Sequence, residues 1–211
     1  MLTIGVNLFI IGCCLGSFIN VVIYRLPIKK SIIYPSSRCP QCNTKIKWVD
    51  NLPIISWLLL RGQCRACKTK ISCSYPIIEL LTGILVWLNL YAHPTIYSQQ
   101  PISITIFFGS IFSTILIALA ILDFKYFWLP GSLTLCGIML GITASLFIDL
   151  TNDFHQFSYS IHTIIASFVG FIFFNLLSYI GKKIYKKPVI GGGDSKLGAL
   201  IGSWLGIQGL F

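Results

Sequence analysis

Residues 102–148 read ISITIFFGSIFSTILIALAILDFKYFWLPGSLTLCGIMLGITASLFI, in which two long apolar runs flank the short polar stretch DFKYFW. The runs Ile102–Leu122 and Leu129–Ile148 hold no charged residue, and Asp123 and Lys125 lie between them. Each run has about 20 residues, the length that an α-helix needs to cross a bilayer. Because a chain in hydrocarbon must satisfy its backbone hydrogen bonds internally, these runs predict two membrane-spanning helices.

The same pattern extends over the whole chain. Hydrophobic residues make up 55% of it and charged residues 10%, which excludes an ordinary soluble domain. We therefore expect an all-α polytopic membrane protein with about six transmembrane helices. The six apolar segments are Leu2–Tyr24, Pro76–Ala92, Ile102–Leu122, Leu129–Ile148, Ile161–Ile180 and the shorter Leu197–Phe211. No Lys or Arg precedes the first segment, so we expect a retained anchor and not a cleaved signal peptide.

The positive charges indicate the topology. All 16 Lys and Arg residues fall in three connections, Arg25–Lys70, Lys125 and Lys182–Lys196. The alternate connections, around residues 93–100 and 149–160, contain none. The positive-inside rule then places the three basic connections in the cytoplasm, in contact with the lipid bilayer. The net charge of +10 is explained by this topology, and no groove-reading motif accompanies it, so we expect no nucleic acid partner.

The first basic connection, residues 25–75, is too long for an ordinary loop. It contains the paired motifs CPQC and CRAC, whose thiols are Cys39, Cys42, Cys64 and Cys67. Paired C-x-x-C elements at this separation predict a closed tetrahedral site for structural Zn²⁺. Two disulfides are the alternative, which the reducing cytoplasm disfavours. Between the motifs, the apolar stretch Leu52–Leu60 is expected to pack on the zinc knuckles or to lie in the membrane interface.

Two of the six acidic residues flank apolar segments at the predicted cytoplasmic face, Asp123 after the third and Asp194 before the sixth. A carboxyl group near the membrane is costly and is a functional-site hypothesis by default. If the two meet, one can keep a proton while the other acts as a base on water, which suits peptide hydrolysis. Gly191–Gly193 are expected to supply unusual backbone conformations and room for an extended substrate.

Other roles remain open for these carboxyl groups. Asp194 can be a helix N-cap, and Asp123 can pair with Lys125 or with a helix terminus. Glu79 is a third candidate, which can instead pair with a basic residue of the cysteine loop. The topology excludes the remaining candidates, which fall on the opposite side of the membrane: Asp149 and Asp153.

Several motifs, in order along the chain, resemble the bacterial type IV prepilin peptidases. They are GSFINVVIYRLP (Gly16–Pro27), the loop with DNLPIISWLLLRGQCRAC, YPIIELLTG (Tyr75–Gly83), and D-x5-LP (Asp123–Pro130) with GGGDSKLGA (Gly191–Ala199). The resemblance implies a GxGD-type membrane aspartyl endopeptidase of the bacterial inner membrane, with Asp123 and Asp194 as its catalytic pair. It implies prepilin and pseudopilin substrates of type IV pili or type II secretion, whose leaders are cleaved at the cytoplasmic face.

The resemblance also implies a second activity, N-methylation of the new N-terminus with S-adenosylmethionine, associated with the N-terminal region. No residue for that activity is assigned from the sequence. The expected organisation is a first helix at 1–24, a zinc loop at 25–75 and a peptidase domain at 76–211. Family members usually continue further, so the domain is expected to be C-terminally shortened. The alternatives are a non-catalytic scaffold of a pilus or secretion machine, or a GxGD protease with another substrate.

Overall fold

The computed structural model describes residues 2–91, 102–151, 158–186 and 191–210. Within these ranges the chain is α-helical and forms no strand, which confirms the predicted all-α class. Short 3₁₀ turns cover Trp48–Asn51 and Ile207–Gly209. The α-helices are α1 (Leu2–Arg25), α2 (Ile55–Leu59), α3 (Ser74–Leu88), α4 (Ile102–Tyr126), α5 (Gly131–Thr151), α6 (Ser158–Tyr185) and α7 (Gly192–Leu205).

Six of these helices correspond to the six apolar segments of the sequence. Four of them, α1, α4, α5 and α6, are long and apolar enough to cross a membrane. The other two, α3 and α7, have 15 and 14 residues, which is short of a full span. The sequence therefore predicted the helices, but only four of the described ones have the length of a complete crossing.

The described residues fall into two compact units, with the boundary after Ala118 in α4. In the first unit, α1 packs closely against α3. Gly12 and Gly16, one helical turn apart, face Gly83 and Glu79: a Cβ at these two positions would lie 2.8 Å from Gly83 Cα and 2.7 Å from Glu79 Cα. Small residues at this spacing allow the close backbone approach on which helix association in a membrane depends.

In the second unit, helices also pack closely at glycine residues. Its helix α7 packs against α5 and α6, and Gly198 and Gly202 lie against the α6 backbone at Gly170 and Ala166, where a side chain would clash. On its other side, α7 buries Trp204, whose indole N–H donates a hydrogen bond of 2.9 Å to the carbonyl of Gly137. This packing fixes the position of α7 and therefore of the residues at its N-terminus.

The structure differs from the sequence prediction at the start of α7, and it decides between two predictions for Leu52–Leu60. The helix around Asp194 begins at Gly192, two residues before Asp194, and not after it. The stretch Leu52–Leu60 forms a turn and the short α2. Its Leu58 and Leu59 are 61% and 76% exposed, which favours the membrane interface over packing on the knuckles. Asp153 lies outside the described residues.

Candidate functional site

The four cysteine thiols of the polar insert converge on one point. The Sγ atoms of Cys39, Cys42, Cys64 and Cys67 all lie within 4.8 Å of one another, and none of these cysteines forms a disulfide. The Sγ atoms of Cys39 and Cys67 are 3.8 Å apart. Ligands at about 2.3 Å from a tetrahedral ion are themselves about 3.8 Å apart, so the cluster has the size that a metal centre requires. The disulfide alternative is wrong for this structure.

Two equivalent turns build the cluster. In the first, the amide of Cys39 donates to Thr44 O at 3.0 Å and that of Asn43 to Cys39 O at 2.9 Å. In the second, Cys64 donates to Thr69 O at 2.9 Å and Lys68 to Cys64 O at 3.0 Å. Asn43 and Lys68 both have a positive φ, 56° and 59°, which closes each turn. The sequence carries this repeat as C-x-x-C-x-T-K, a signal that the sequence analysis missed.

The repeated threonine stabilises the thiolate of the second cysteine in each turn. The Oγ1 atoms of Thr44 and Thr69 lie 3.3 Å from Cys42 Sγ and 3.1 Å from Cys67 Sγ. Hydrogen bonds from the Thr69 hydroxyl and then from its backbone amide lower the pKa of Cys67 to about 6, and those of Thr44 lower the pKa of Cys42. Because a metal binds thiolate and not thiol, this second layer of donors favours metal binding.

Asp123 lies in the last turn of α4, and its side chain is exposed. Its carbonyl accepts the amide of Phe127 at 2.7 Å, and Phe127 has a positive φ of 49°, which ends the helix there. The aromatic side chains next to it are exposed as well, Phe124 by 84% and Phe127 by 91%. The Asp123 carboxyl group is therefore exposed at the C-terminal end of α4, and its neighbours in the chain include two exposed phenylalanine rings.

Asp194 is the third residue of α7, and its carboxylate accepts the backbone N–H of Gly191 at 3.0 Å. The alternative role as a helix cap is therefore present in the structure. The expectation of unusual backbone at Gly191–Gly193 is wrong, since none of the three has a positive φ. Gly192 and Gly193 are important because they have no side chain, which leaves space at Gly192 and allows a close contact at Gly193. A Cβ at Gly192 would meet no atom of the described residues within 4 Å. Gly193 lies so close to Leu129 that a Cβ would be 2.9 Å from Leu129 Cβ.

That contact brings together the two segments that carry the aspartates. Leu129 is six residues after Asp123, and Gly193 directly precedes Asp194. A second contact joins the same segments, because a Cβ at Gly131 would lie 3.1 Å from Lys196 Nζ. Helix α5 begins in this turn, where Pro130 O accepts the amides of Leu133 and Thr134 at 3.1 Å. The D-x5-LP and GGGD motifs, separated by about 60 residues of sequence, are thus neighbours in space.

Comparison with known proteins agrees with these motifs. Residues 10–93 match the Bacterial Peptidase A24 N-terminal domain, and residues 110–211 match the Type IV leader peptidase family. A prepilin leader peptidase/N-methyltransferase of Neisseria gonorrhoeae is 34% identical over 228 residues, covering 95% of this chain and 74% of the relative. One of Klebsiella pneumoniae is 32% identical over 216 residues, covering 98% and 87%.

The chain belongs to the type IV leader peptidase family. This confirms the family inferred from the motifs, which is a family of proteases. A Myxococcus xanthus relative with the same name is 37% identical over 203 residues, and the chain spans 95% of its own length but 56% of that relative. No solved structure matches the chain.

Within this leader peptidase fold, two further carboxyl groups are buried. Glu79 does not pair with a basic side chain of the described loop; its Oε2 atom instead accepts the backbone N–H of Ile54 at 2.8 Å. Asp149, set apart from the site by the topology argument, accepts the amide of Ser160 at 2.8 Å and also its hydroxyl. Asp149 therefore caps the first turn of α6, a structural role that explains its burial.

Proposed function

We propose that this protein cleaves the leader peptide of type IV prepilins and pseudopilins, with Asp123 and Asp194 as its catalytic pair. The observation that carries the proposal is the contact between Leu129 and Gly193, which makes the two Asp-bearing segments adjacent. In the reaction, one carboxylate accepts a proton from water, which attacks the scissile carbonyl. The protonated partner donates to the leaving amine, so that no covalent intermediate is needed.

The surroundings of the pair suit this class of substrate. A prepilin presents an extended leader followed by a hydrophobic helix. Gly192, around which the described residues leave space, provides an approach to Asp194 for an extended chain. The exposed rings of Phe124 and Phe127 next to Asp123 can contact the apolar segment that follows the cleavage point. These rings also match the aromatic belt that membrane proteins place at the lipid–water boundary.

The proposal also includes a bound metal, a second enzymatic activity and the side of the membrane on which the sites lie. The metal is structural Zn²⁺ on Cys39, Cys42, Cys64 and Cys67, since four thiolates close a tetrahedral site and leave no position for a substrate. The second activity is N-methylation of the new N-terminus with S-adenosylmethionine, as the names of the relatives suggest. Both active regions face the cytoplasm from the inner membrane, because the basic connections lie on that side.

The test is cleavage of a model prepilin by this chain in proteoliposomes, followed by mass spectrometry of the products. We expect Asp123→Asn and Asp194→Asn each to lower the cleavage rate by about 1,000-fold or more, since each removes one partner of the acid/base pair. The matched control is Asp149→Asn, the same substitution in the same unit, for which cleavage per folded molecule should stay within about twofold. A wild-type chain that leaves the prepilin intact would favour the non-catalytic scaffold.

A further inference from the structure

Lys196 is a positively charged side chain that lies beside the two Asp-bearing segments. It follows Asp194 by two residues, and it is exposed. Its Nζ atom lies 3.1 Å from the position of a Cβ at Gly131, the first residue of α5. Lys196 and Gly193 are three residues apart and therefore share one face of α7, the face that meets Leu129. The ammonium group thus lies where the D-x5-LP and GGGD segments meet.

The described carboxylates do not neutralise this ammonium group. The described acidic side chains of the second unit are Asp123, Asp149 and Asp194. Asp149 lies near the other end of α5, roughly 27 Å along the helix axis from Gly131. Only Asp123 and Asp194 remain to balance the charge, and Lys196 forms an ion pair with neither of them. Within the described residues, Lys196 is therefore an unpaired cation next to the proposed catalytic pair.

The space beside the ammonium group suits a substrate backbone. Apart from its own chain neighbours and helix backbone, Gly131 has one described atom within 4 Å of its Cβ position, which is Lys196 Nζ. A Cβ at Gly192, at the start of α7, would meet no atom of the described residues within 4 Å. The described residues thus leave room for an extended chain to pass Asp194 and to bring a backbone carbonyl to Lys196.

Peptide hydrolysis moves negative charge onto the scissile carbonyl oxygen. Water forms a bond to the carbonyl carbon and gives a proton to the ionised carboxylate, while the π electrons of the C=O bond move onto oxygen. When the C=O bond re-forms, the C–N bond breaks, and the nitrogen keeps the electron pair and takes a proton from the protonated carboxyl group. The new carboxylic acid gives its proton to the amine, and the aspartate pair again holds one proton. The leader therefore leaves as a carboxylate, with negative charge shared by the same oxygen.

A cation is the group that this oxygen requires. An ionised aspartate repels the developing charge, whereas an ammonium group offers three hydrogen-bond donors and a full positive charge. Charge-assisted donors placed where charge develops are among the largest contributions to catalysis. Lys125 is a second cation near the pair, in the last turn of α4, but no hydrogen bond or ion pair among the described residues joins it to α5 or α7.

Resting on the proposed function, we infer that Lys196 is a third catalytic residue of the peptidase site. Its ammonium group donates a hydrogen bond to the scissile carbonyl oxygen and stabilises the negative charge that develops there during the attack of water. After the C–N bond has broken, the same ammonium group holds the carboxylate of the leader product. Asp123 and Asp194 move the protons, and Lys196 balances the charge.

The first test is steady-state cleavage of a model prepilin in proteoliposomes by Lys196→Met, at equal amounts of folded protein. The substitution removes the charge of an exposed side chain, so it should leave the fold intact. We expect kcat to fall by about 100-fold, as for the loss of one oxyanion donor, with KM within about threefold of wild type. Lys196→Arg keeps a cation and should retain at least about a tenth of the wild-type kcat.

The matched control is Lys125→Met, the same change two residues after Asp123, for which kcat should stay within about threefold of wild type. An equal loss in Lys125→Met would assign the effect to positive charge in general and contradict the proposal. A kcat of Lys196→Met within threefold of wild type would overturn the role of Lys196, even where Asp123→Asn and Asp194→Asn are inactive.

A binding measurement tests the same contact without turnover. Two synthetic leader peptides, one with a free C-terminal carboxylate and one with a C-terminal amide, are titrated by intrinsic tryptophan fluorescence. Because the aspartates repel the carboxylate in every variant, the ratio of the two dissociation constants is compared between wild type and Lys196→Met. The preference for the carboxylate should be about tenfold greater in wild type, as expected for a charge-assisted hydrogen bond. Equal ratios in the two proteins would contradict the assignment, whether or not the chain cleaves prepilins.

Discussion

The cysteine cluster and the aspartate pair differ in how the chain assembles them. Each half of the cluster is a seven-residue turn, closed by its own backbone hydrogen bonds at Cys39–Thr44 and Cys64–Thr69. The aspartate segments have no such local support. They are brought together by the contact of Leu129 with Gly193, at the starts of α5 and α7, and these helices pack where Trp204 contacts Gly137 and Gly141. One region depends on local turns, and the other depends on helix packing.

The difference predicts that the two regions fail in different ways. The cysteine cluster should lose its metal when one thiol ligand is removed, while the packing of the distant helices stays the same. The aspartate pair should lose activity when the distance between α5 and α7 changes, even if both carboxyl groups remain.

In the cysteine cluster, the largest effect is expected from Cys39→Ser and Cys64→Ser. Each removes one of four thiolates, and the remaining three cannot close the tetrahedral site, so the purified protein should contain less than about a tenth of the wild-type zinc. Metal analysis by mass spectrometry measures this directly. The matched control is Cys73→Ser, an exposed cysteine outside the cluster, which should keep full zinc content. Wild-type zinc in Cys39→Ser would exclude the assigned ligands.

In the packed region, the effect to measure is the loss of cleavage in Gly193→Ala. The added methyl group would lie 2.9 Å from Leu129 Cβ, so the D-x5-LP and GGGD segments must separate. A displacement of about 1 Å in a catalytic constellation lowers the rate by up to about 100-fold. Gly192→Ala is the comparison, because a Cβ there meets no described atom within 4 Å and can narrow only the approach of the substrate. Gly192→Ala should therefore raise KM and leave kcat unchanged, whereas Gly193→Ala should lower kcat. Equal kcat values for the two alanine variants would show that the contact does not position the aspartates.

The smallest effect is expected from Asp149→Asn, a loss of about 1 kcal/mol of stability with cleavage per folded molecule unchanged. Asp149 and Asp194 both accept backbone amides at the start of a helix. The same substitution at the two positions therefore separates capping from catalysis. Thermal unfolding measures the first and prepilin cleavage measures the second. Asp194→Asn that unfolds earlier but still cleaves would make Asp194 a cap only.

Much of the cluster could be predicted from sequence because its determinants are local. The spacing of the two C-x-x-C motifs determines where four thiols can meet, and the structure places them within 4.8 Å of one another. The apolar segments likewise predicted the helices, since periodicity and length are local properties. The helix ends were predicted less well: α7 begins at Gly192 because Asp194 accepts the Gly191 amide, a contact that composition does not reveal.

The remaining features depend on residues distant in sequence. The role of Gly193 follows from its closeness to Leu129, which no local pattern encodes. The partner of Glu79 is the amide of Ile54, and a search for basic side chains could not find a backbone donor. The motif likeness is the basis for proposing Asp123 and Asp194 as the catalytic pair, whereas hydropathy alone predicts only that they lie near one membrane face.

The most direct test of the account is a double-mutant cycle on the aspartates, with prepilin cleavage measured for Asp123→Asn, Asp194→Asn and the double variant at equal amounts of folded protein. Residues that act as one catalytic unit are strongly non-additive. We therefore expect each single variant to fall by about 1,000-fold or more and the double variant to fall no further. A single variant that keeps more than about a tenth of the wild-type rate, or losses that multiply in the double variant, would contradict the pair.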